Sequence, residues 1–310
     1  MIRVGLIGAR GYVGRELIRV LDADRRFDLA FAGSRAMAGR PLRETPGLSG
    51  LARFGDREAS DIGPDELAGR DADVIVLGLP NGMAAPYVEA IGNAGSRPII
   101  VDLSADYRHQ GGWVYGAPEV NGPLIRTARR IANPGCYATA ANLALWPLRD
   151  IASGHVSVFG VSGFSGAGTT PGQRNDPERL EANILPYGFG GHGHEAEIAG
   201  FTGLDIVFAP HVAPFFRGLV VTLTVPLASR HEAAQIRDRF ASAYADAPLV
   251  RVTAEPPEVH DVAGRDGCVI GGFAISRQGT VLTFASALDN LRKGAATQAV
   301  ENIALASGLG

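Results

Sequence analysis

Two segments of the chain carry residue types that could do covalent chemistry. Asn133-Pro134-Gly135-Cys136-Tyr137 sets a cysteine where an extended loop turns into a helix. Free amides at a helix N-terminus favour thiolate over thiol, so Cys136 is a candidate nucleophile, and the same amides could hold the oxyanion of a tetrahedral adduct. A lone cysteine is otherwise a small buried hydrophobe, and Cys268, between Gly267 and Val269 in an apolar run, is read that way. His192-Gly193-His194-Glu195-Ala196-Glu197-Ile198 then supplies two imidazoles and two carboxylates where a loop enters a helix. One histidine could move the proton that thiol chemistry requires. The same group could ligate a metal, but no third ligand motif at a recognisable spacing accompanies it, and no metal is expected.

A third segment points to a nucleotide. Gly8-Ala9-Arg10-Gly11-Tyr12-Val13-Gly14 is a GxxGxxG turn between an apolar strand and a helix, where glycines let backbone amides approach a pyrophosphate. Its bland alternative is a turn that needs glycine only for tight packing. An acid about 20 residues on would hold the ribose 2′-hydroxyl of NAD, whereas this chain has Gly33-Ser34-Arg35. A hydroxyl and a guanidinium suit a 2′-phosphate, which favours NADP. The bland alternatives are a solvated loop charge for Arg35 and a helix cap for Asn81.

The elements that must position these groups read as two different patterns. Residues 2–7 form a buried strand and Arg15–Leu21 a helix, with further strands at Asp28–Ala32, Asp73–Leu79 and Pro98–Leu103 and a helix between Met83 and Ile91. That alternation predicts a doubly wound Rossmann-type α/β domain with a parallel sheet. After a helix at Tyr137–Leu148 come longer strands near 155–162, 205–212, 217–226, 267–276 and 280–287, the last two joined by a hairpin turn at Arg277-Gln278-Gly279. This predicts an α+β domain with a largely antiparallel sheet. Residues 165–193 lack periodicity and are longer than an ordinary connection. From Asp289 to Leu309 helical spacing returns through Leu291, Ala295, Ala299 and Ile303. The division expected is 1–136 with 289–310 for NADP, and 137–288 for catalysis and oligomerisation.

Composition excludes several classes. At 310 residues, with 46% hydrophobic and 20% charged residues, the chain suits two globular domains rather than a disordered one. A net charge of −3 with interspersed signs gives no basic face for nucleic acid and no polybasic segment for a membrane. No apolar run approaches the roughly 20 residues of a membrane span, and no signal-peptide pattern follows Met1. Two cysteines in unlike settings make no disulfide framework. The expectation is a cytoplasmic protein acting on a small molecule.

With these residues in view, the chain resembles the N-acetyl-gamma-glutamyl-phosphate reductases of arginine biosynthesis, relatives of aspartate-semialdehyde dehydrogenase. The segments that carry the likeness run nearly end to end: GARGYVGREL (8–17), GSRAMAGRPL (33–42), LGLPNGMA (77–84), VDLSADYR (101–108), YGAPEV (115–120), NPGCYATAANLAL (133–145), SGFSGAG (162–168), HGHEAEI (192–198), FAPHVAPFFRG (208–218) and DNLRKGAATQAVEN (289–302).

The resemblance implies Cys136 as nucleophile and His194 as general acid/base, with His192 and Glu197 shaping the site. It places NADP on Gly8, Arg10, Gly11, Tyr12, Val13, Gly14, Ser34, Arg35, Pro80, Ser165, Gly166 and Asn290. It sets Arg108, Glu119, Ser162, His211 and Arg217 near substrate or phosphate, and implies a homodimer or homotetramer. Ala138, Gly193 and Glu195-Ala196 depart from the family's usual proline, long basic residue and Thr-Pro. Two rivals stand beside this reading. One is a reductase of the homologous N-acetyl-aminoadipyl phosphate, since one methylene gives only about 1–3 kcal/mol of discrimination. The other is a non-catalytic NADP(H)-binding regulator.

Overall fold

The computed structural model describes residues 1–93 and 97–309. Gly310, at the end of the expected nucleotide domain, lies outside the described residues. The chain divides into two compact units, Met1–Pro134 with Ala295–Gly310, and Gly135–Gly294. The boundaries expected at 136/137 and 288/289 thus fall at 134/135 and 294/295.

The first unit contains β1 (Ile2–Ile7), α1 (Tyr12–Ala23), β2 (Phe27–Gly33), β3 (Ala59–Ser60), α2 (Pro64–Leu67), β4 (Val74–Leu77), α3 (Ala85–Asn93), β5 (Ile99–Asp102), β6 (Val114–Tyr115), α4 (Pro118–Ile125) and β7 (Arg130–Ala132). Its strands run in the order β3-β2-β1-β4-β5-β7-β6, and every pairing among them is parallel. β4 is apolar throughout, β5 is apolar up to its last residue, Asp102, and both are buried at every residue, as expected of strands covered on both faces. Val4, Leu6, Val74 and Val76 pack into the core with Leu17, Ile18 and Leu21 of α1. Ile7, Ile75 and Leu77 pack with Val88 and Ile91 of α3 in a separate core. The chain leaves β1 for β2 on one side and returns to β4 on the other, so β1 and β4 flank a topological switch point, where ligands of such sheets bind beyond the carboxyl ends.

The second unit contains α5 (Cys136–Leu145), β8 (His155–Gly163), α6 (Pro177–Leu180), β9 (Leu185–Pro186), α7 (Gly193–Thr202), β10 (Asp205–Ala213), β11 (Leu219–Pro226), α8 (Ala233–Ala243), β12 (Val250–Thr253), α9 (Val259–Val262), β13 (Cys268–Ile275) and β14 (Val281–Leu288). Its sheet has the order β12-β13-β14-β11-β8-β10-β9. β8–β10 and β12–β13 pair parallel and the other four contacts antiparallel, so the largely antiparallel sheet is a mixed one. Inner residues such as Val156, Val158, Phe208 and Val221 are buried, while Phe159 and Val207 on the other face are 44% and 52% exposed. α5 is apolar nearly all round and buried from Tyr137 to Leu145. Such a helix belongs in a core, and this one packs on β11, β14 and α7.

Two expectations need correction. The 165–193 stretch is not irregular throughout: Asp176 caps α6 by accepting from the Glu178 amide, and β9 pairs with β10 at the sheet edge. The 289–309 stretch is not one regular helix. The Asp289 carboxylate accepts from the Leu291 and Arg292 amides, which shapes a turn, and Arg292–Ala296 then form a π turn before α10 (Thr297–Ala306) begins.

Candidate active site

In the first unit the ends of β1, β2 and β4 are stitched together. The Gly8 and Ala9 amides donate to Gly33 O at 2.9 and 3.0 Å, and the Gly78 amide to Ile7 O at 2.8 Å. The three glycines of the turn have different reasons to be there. Gly8 has φ +99°, and a Cβ on it would lie 2.1 Å from Gly78 O. A Cβ on Gly14 would lie 2.2 Å from Gly8 O. Both are explained by packing. Gly11 is not, because its φ is −60° and the nearest atom to its Cβ is 3.6 Å away. Gly11 is the N-cap of α1, whose first turn has no side-chain cap and no acid. These amides and their helix end suit a pyrophosphate.

Arg10 is exposed, and Tyr12 and Val13 are half-buried. The Arg15 guanidinium lies 4.9 Å over the Tyr12 ring. Ser34 and Arg35 follow β2; Arg35 is 90% exposed, and its Nε lies 3.5 Å from Asp61. No carboxylate occupies positions 33–35, and a cationic, solvent-facing side chain at this strand end fits a nucleotide with a 2′-phosphate. Pro80 and Asn81 follow β4, where the Asn81 side chain accepts from the Ala105 amide at 3.0 Å, a loop-bracing role rather than a helix cap. Arg108 is half-buried and donates to Asn133 O and Leu103 O. Glu119 sits in the first turn of α4.

The second unit brings the thiol segment and the histidine segment together. Cys136 is the first residue of α5. The Gly135 amide just before it donates to Glu197 Oε1 at 2.9 Å. The other oxygen of Glu197 lies 4.0 Å from His194 Nε2, one turn earlier on α7. Glu197 is only 2% exposed, so one buried carboxylate spans from the nucleophile's helix end to the imidazole. His192 is the N-cap of α7 and its Nδ1 accepts from the His194 amide at 3.2 Å. Burial holds the His192 imidazole below its ordinary pKa, aided by the Arg174 charge and opposed by Glu197 and Glu195. A neutral imidazole is what the capping bond needs. Glu195, one of the departures from the family pattern, accepts from the Phe208 amide at 2.9 Å and ties α7 to β10. Ala138 is fully buried in the first turn of α5.

The remaining expected residues divide. Ser162 is buried on the inner face of β8. Ser165 and Asn290 meet: Asn290 Nδ2 donates to Ser165 Oγ at 2.9 Å while its Oδ1 accepts from the Gly218 amide at 2.7 Å. Gly166 adjoins them, a Cβ there lying 3.4 Å from Ser162 Oγ and 3.8 Å from Asn290 Nδ2. Arg217 forms an ion pair with the buried Asp289, Nε to Oδ2 at 2.5 Å. His211 projects from the outer face of the sheet beside Phe159, ring centroids 4.4 Å apart. Phe208, on the inner face of the same strand, faces Tyr137 and His192. The structure therefore does not bring the His211 imidazole to Cys136; it is the His211 carbonyl that turns inward, accepting from the Tyr137 hydroxyl at 2.7 Å.

Sequence reasoning missed Tyr187 and Arg174. The Tyr187 ring lies 5.3 Å from that of His192. Burial pushes its hydroxyl up to about 12, with the Cys136 charge adding to the rise. Burial likewise pushes Tyr137 well up, again with Cys136 contributing. Neither Tyr187 nor Arg174 stands at a spacing that marks it, because the polar loop carrying both has no periodicity. Among the described residues no group of three or more His, Cys, Asp or Glu side chains is placed to hold a metal.

A parallel nucleotide-type unit joined to a mixed-sheet unit with a cysteine at a helix N-terminus defines the class of semialdehyde dehydrogenases. Residues 3–128 match the profile described as semialdehyde dehydrogenase, NAD binding domain, and residues 136–290 that of the semialdehyde dehydrogenase dimerisation domain. Within that class, this chain belongs to the N-acetyl-gamma-glutamyl-phosphate reductase family. It is 44% identical over 307 residues to the protein so named from Stenotrophomonas maltophilia, covering 99% of this chain and 95% of that one. It is 43% identical to the one from Xanthomonas axonopodis pv. citri, with 98% and 95% covered. Protein arg-6, mitochondrial, of Neurospora crassa matches at 43% identity over 99% of this chain and 35% of its own length. Among solved structures, aspartate semialdehyde dehydrogenase II from Vibrio cholerae superposes with a TM-score of 0.82 at 19% identity, covering 99% of both chains. Aspartate semialdehyde dehydrogenase with NADP from Candida albicans superposes with a TM-score of 0.75 at 17% identity, covering 99% of this chain and 98% of that one. These two show the fold.

Proposed function

We propose that this chain converts N-acetyl-gamma-glutamyl phosphate and NADPH to N-acetylglutamate 5-semialdehyde, phosphate and NADP, a step of arginine biosynthesis, through a thioester on Cys136. The observation that carries the reading is the Glu197 carboxylate, bonded to the Gly135 amide and facing His194. Relatives of that name at 43–44% identity over nearly the whole chain support the substrate.

The residues divide the work as follows. Cys136 Sγ attacks the acyl carbonyl, a C–S bond forms, and the C–O bond to phosphate breaks. The α5 amides hold the oxyanion that forms between these events. His194 takes the thiol proton and returns one to the substrate oxygen later, and Glu197 keeps its ring turned to that task. NADPH, when bound, supplies the hydride that brings the acyl group to the aldehyde level. Gly8, Gly11, Gly14, Arg10, Tyr12 and Val13 would hold its pyrophosphate and Ser34 and Arg35 its 2′-phosphate; the family likeness adds Pro80, Ser165, Gly166 and Asn290 to the cofactor-binding residues. Arg108, Glu119, Ser162 and Arg217 serve the substrate; Arg217, paired with Asp289, acts by shaping the 216–218 segment. The first unit is the NADP domain and the second the catalytic one.

The chain works in the cytoplasm as a homodimer, or a dimer of dimers, through the outer face of the second sheet. Phe159 and Val207 there are exposed apolar residues on a wide β surface, and such patches mark association sites. The match of residues 136–290 to the profile described as a dimerisation domain supports this.

Incubating the purified protein with N-acetylglutamate 5-semialdehyde, phosphate and NADP, and following NADPH absorbance, tests the activity. Phosphate-dependent NADPH formation is expected; its absence overturns the reading.

A further inference from the structure

The 165–193 loop is built, not slack, around Arg174. Asn175 holds the turn beside it, its Nδ2 donating to Gly168 O at 3.0 Å and Thr170 O at 2.8 Å and its Oδ1 accepting from the Gly172 amide at 2.7 Å. Asp176 starts α6 directly after. These bonds aim Arg174 back at the site: its Cζ lies 4.7 Å over the Tyr187 ring, which in turn lies 5.3 Å from the His192 ring. The next ring in line is His194, 4.8 Å from His192. The Arg174 charge reaches both partners, lowering His192 and opposing the rise of Tyr187.

The charge of this cation is not spent inside the protein. Three other arginines of the unit are paired with carboxylates: Arg217 with Asp289, Arg292 with Asp266, Arg239 with Asp150. The nearby carboxylates are committed too, Glu195 to the Phe208 amide and Glu197 to the Gly135 amide. Arg174 forms no ion pair among the described residues; its guanidinium lies over the Tyr187 ring and also hydrogen-bonds that side chain, which fixes its position while occupying only part of its five N–H donors. A guanidinium so held accepts a carboxylate or a phosphoryl group in two parallel hydrogen bonds.

We infer that Arg174, stacked on Tyr187 beside the two histidines, binds an anionic group of the acyl substrate, either its α-carboxylate or its transferring phosphoryl group. The substrate's name rests on the proposed function; the anion site does not. Loss of a hydrogen-bonded charge contact is worth about tenfold to a hundredfold in binding.

The test compares wild type with Arg174→Gln and Arg174→Lys in the phosphate-dependent oxidative direction, and also measures alkylation of Cys136 by iodoacetate and by iodoacetamide. For Arg174→Gln, KM should rise about tenfold or more with kcat within threefold, and Arg174→Lys should recover part of the loss. A rise confined to KM for the semialdehyde assigns the carboxylate, and a rise confined to KM for phosphate assigns the phosphoryl group. Alkylation separates this inference from the proposed function. Arg174→Gln should slow iodoacetate, an anion, about fivefold or more relative to neutral iodoacetamide, whether or not the chain turns over the semialdehyde. An unchanged iodoacetate-to-iodoacetamide ratio overturns the anion site. So does a kcat loss with both KM values unchanged, since that pattern belongs to a loop brace.

Discussion

The contrast between Gly11 and Gly14 separates nucleotide binding from packing within one turn. A Cβ on Gly14 would sit 2.2 Å from Gly8 O and 3.0 Å from Gly8 C. These are backbone atoms, so α1 must move off β1, and overpacking of this kind costs about 1–3 kcal/mol. At about 2–4 °C per kcal/mol for a unit of this size, Gly14→Ala should lower the melting temperature by several degrees. Gly11 has ordinary backbone angles and 3.6 Å of clearance. Replacing a glycine N-cap by alanine costs about 1 kcal/mol at most, so Gly11→Ala should melt within about 4 °C of wild type. Its methyl nevertheless stands where a pyrophosphate would approach the amides, and NADPH should bind about tenfold more weakly or worse. Thermal melting without cofactor and titration of NADPH fluorescence measure the two effects separately. Wild-type NADPH affinity in Gly11→Ala would refute the assignment of this turn, and wild-type stability in Gly14→Ala would refute the packing account.

Other expectations follow from the same geometry. Cys136→Ser should abolish turnover while NADP binding stays within about threefold, and Cys268→Ala, whose buried thiol contacts Ser286 Oγ, should cost far less; turnover retained within tenfold by Cys136→Ser would remove it from the mechanism. Arg35→Ala should raise KM for NADPH much more than KM for NADH, and equal losses would show that Arg35 does not read the 2′-phosphate. His194→Asn should lower kcat by about 10²-fold or more, while His192→Asn acts mainly through KM of the acyl substrate; the reverse pattern transfers the proton role to His192. Because burial holds folded His192 below its ordinary 6.5, the unfolded chain binds the extra proton more readily. Stability present above about pH 6.5 is therefore lost as pH falls through the folded value. His192→Asn should flatten that acid limb of the melting-temperature profile, and an unchanged limb would place its origin elsewhere.

Much of the molecule was legible in local pattern. The strand, turn and helix of 2–23 announce themselves because burial on both faces demands a continuous apolar run and the turn demands glycine at Gly8 and Gly14. The hairpin at 276–280, with Gly279 at φ +80°, was legible for the same kind of reason. Cys136 at a helix start was readable because Pro134 and Gly135 cannot continue a helix backwards. Sheet order was not readable, since nothing in a strand's own sequence says which neighbour its amides will meet, and the parallel pairing of β8 with β10 inside an otherwise antiparallel neighbourhood had no local sign.

The sequence by itself determined which chemical groups are available: a thiol at a helix end, two histidines at a second helix start, and a glycine turn without an acid after the next strand. Tertiary structure alone decided which of them meet. Glu197 reaches the Gly135 amide across 62 residues, and only the packing of α7 on α5 makes that one carboxylate serve both the nucleophile's helix and His194. His211 sits in a strongly marked segment, yet strand alternation turns its ring to the far face and leaves the buried side its carbonyl. Arg174 and Tyr187 lie in a loop without periodicity, where side-chain direction is set by long-range hydrogen bonds and stacking rather than by spacing. Period and propensity act over a few residues, whereas a site is made of contacts between residues tens of positions apart, and those are fixed only when the core closes.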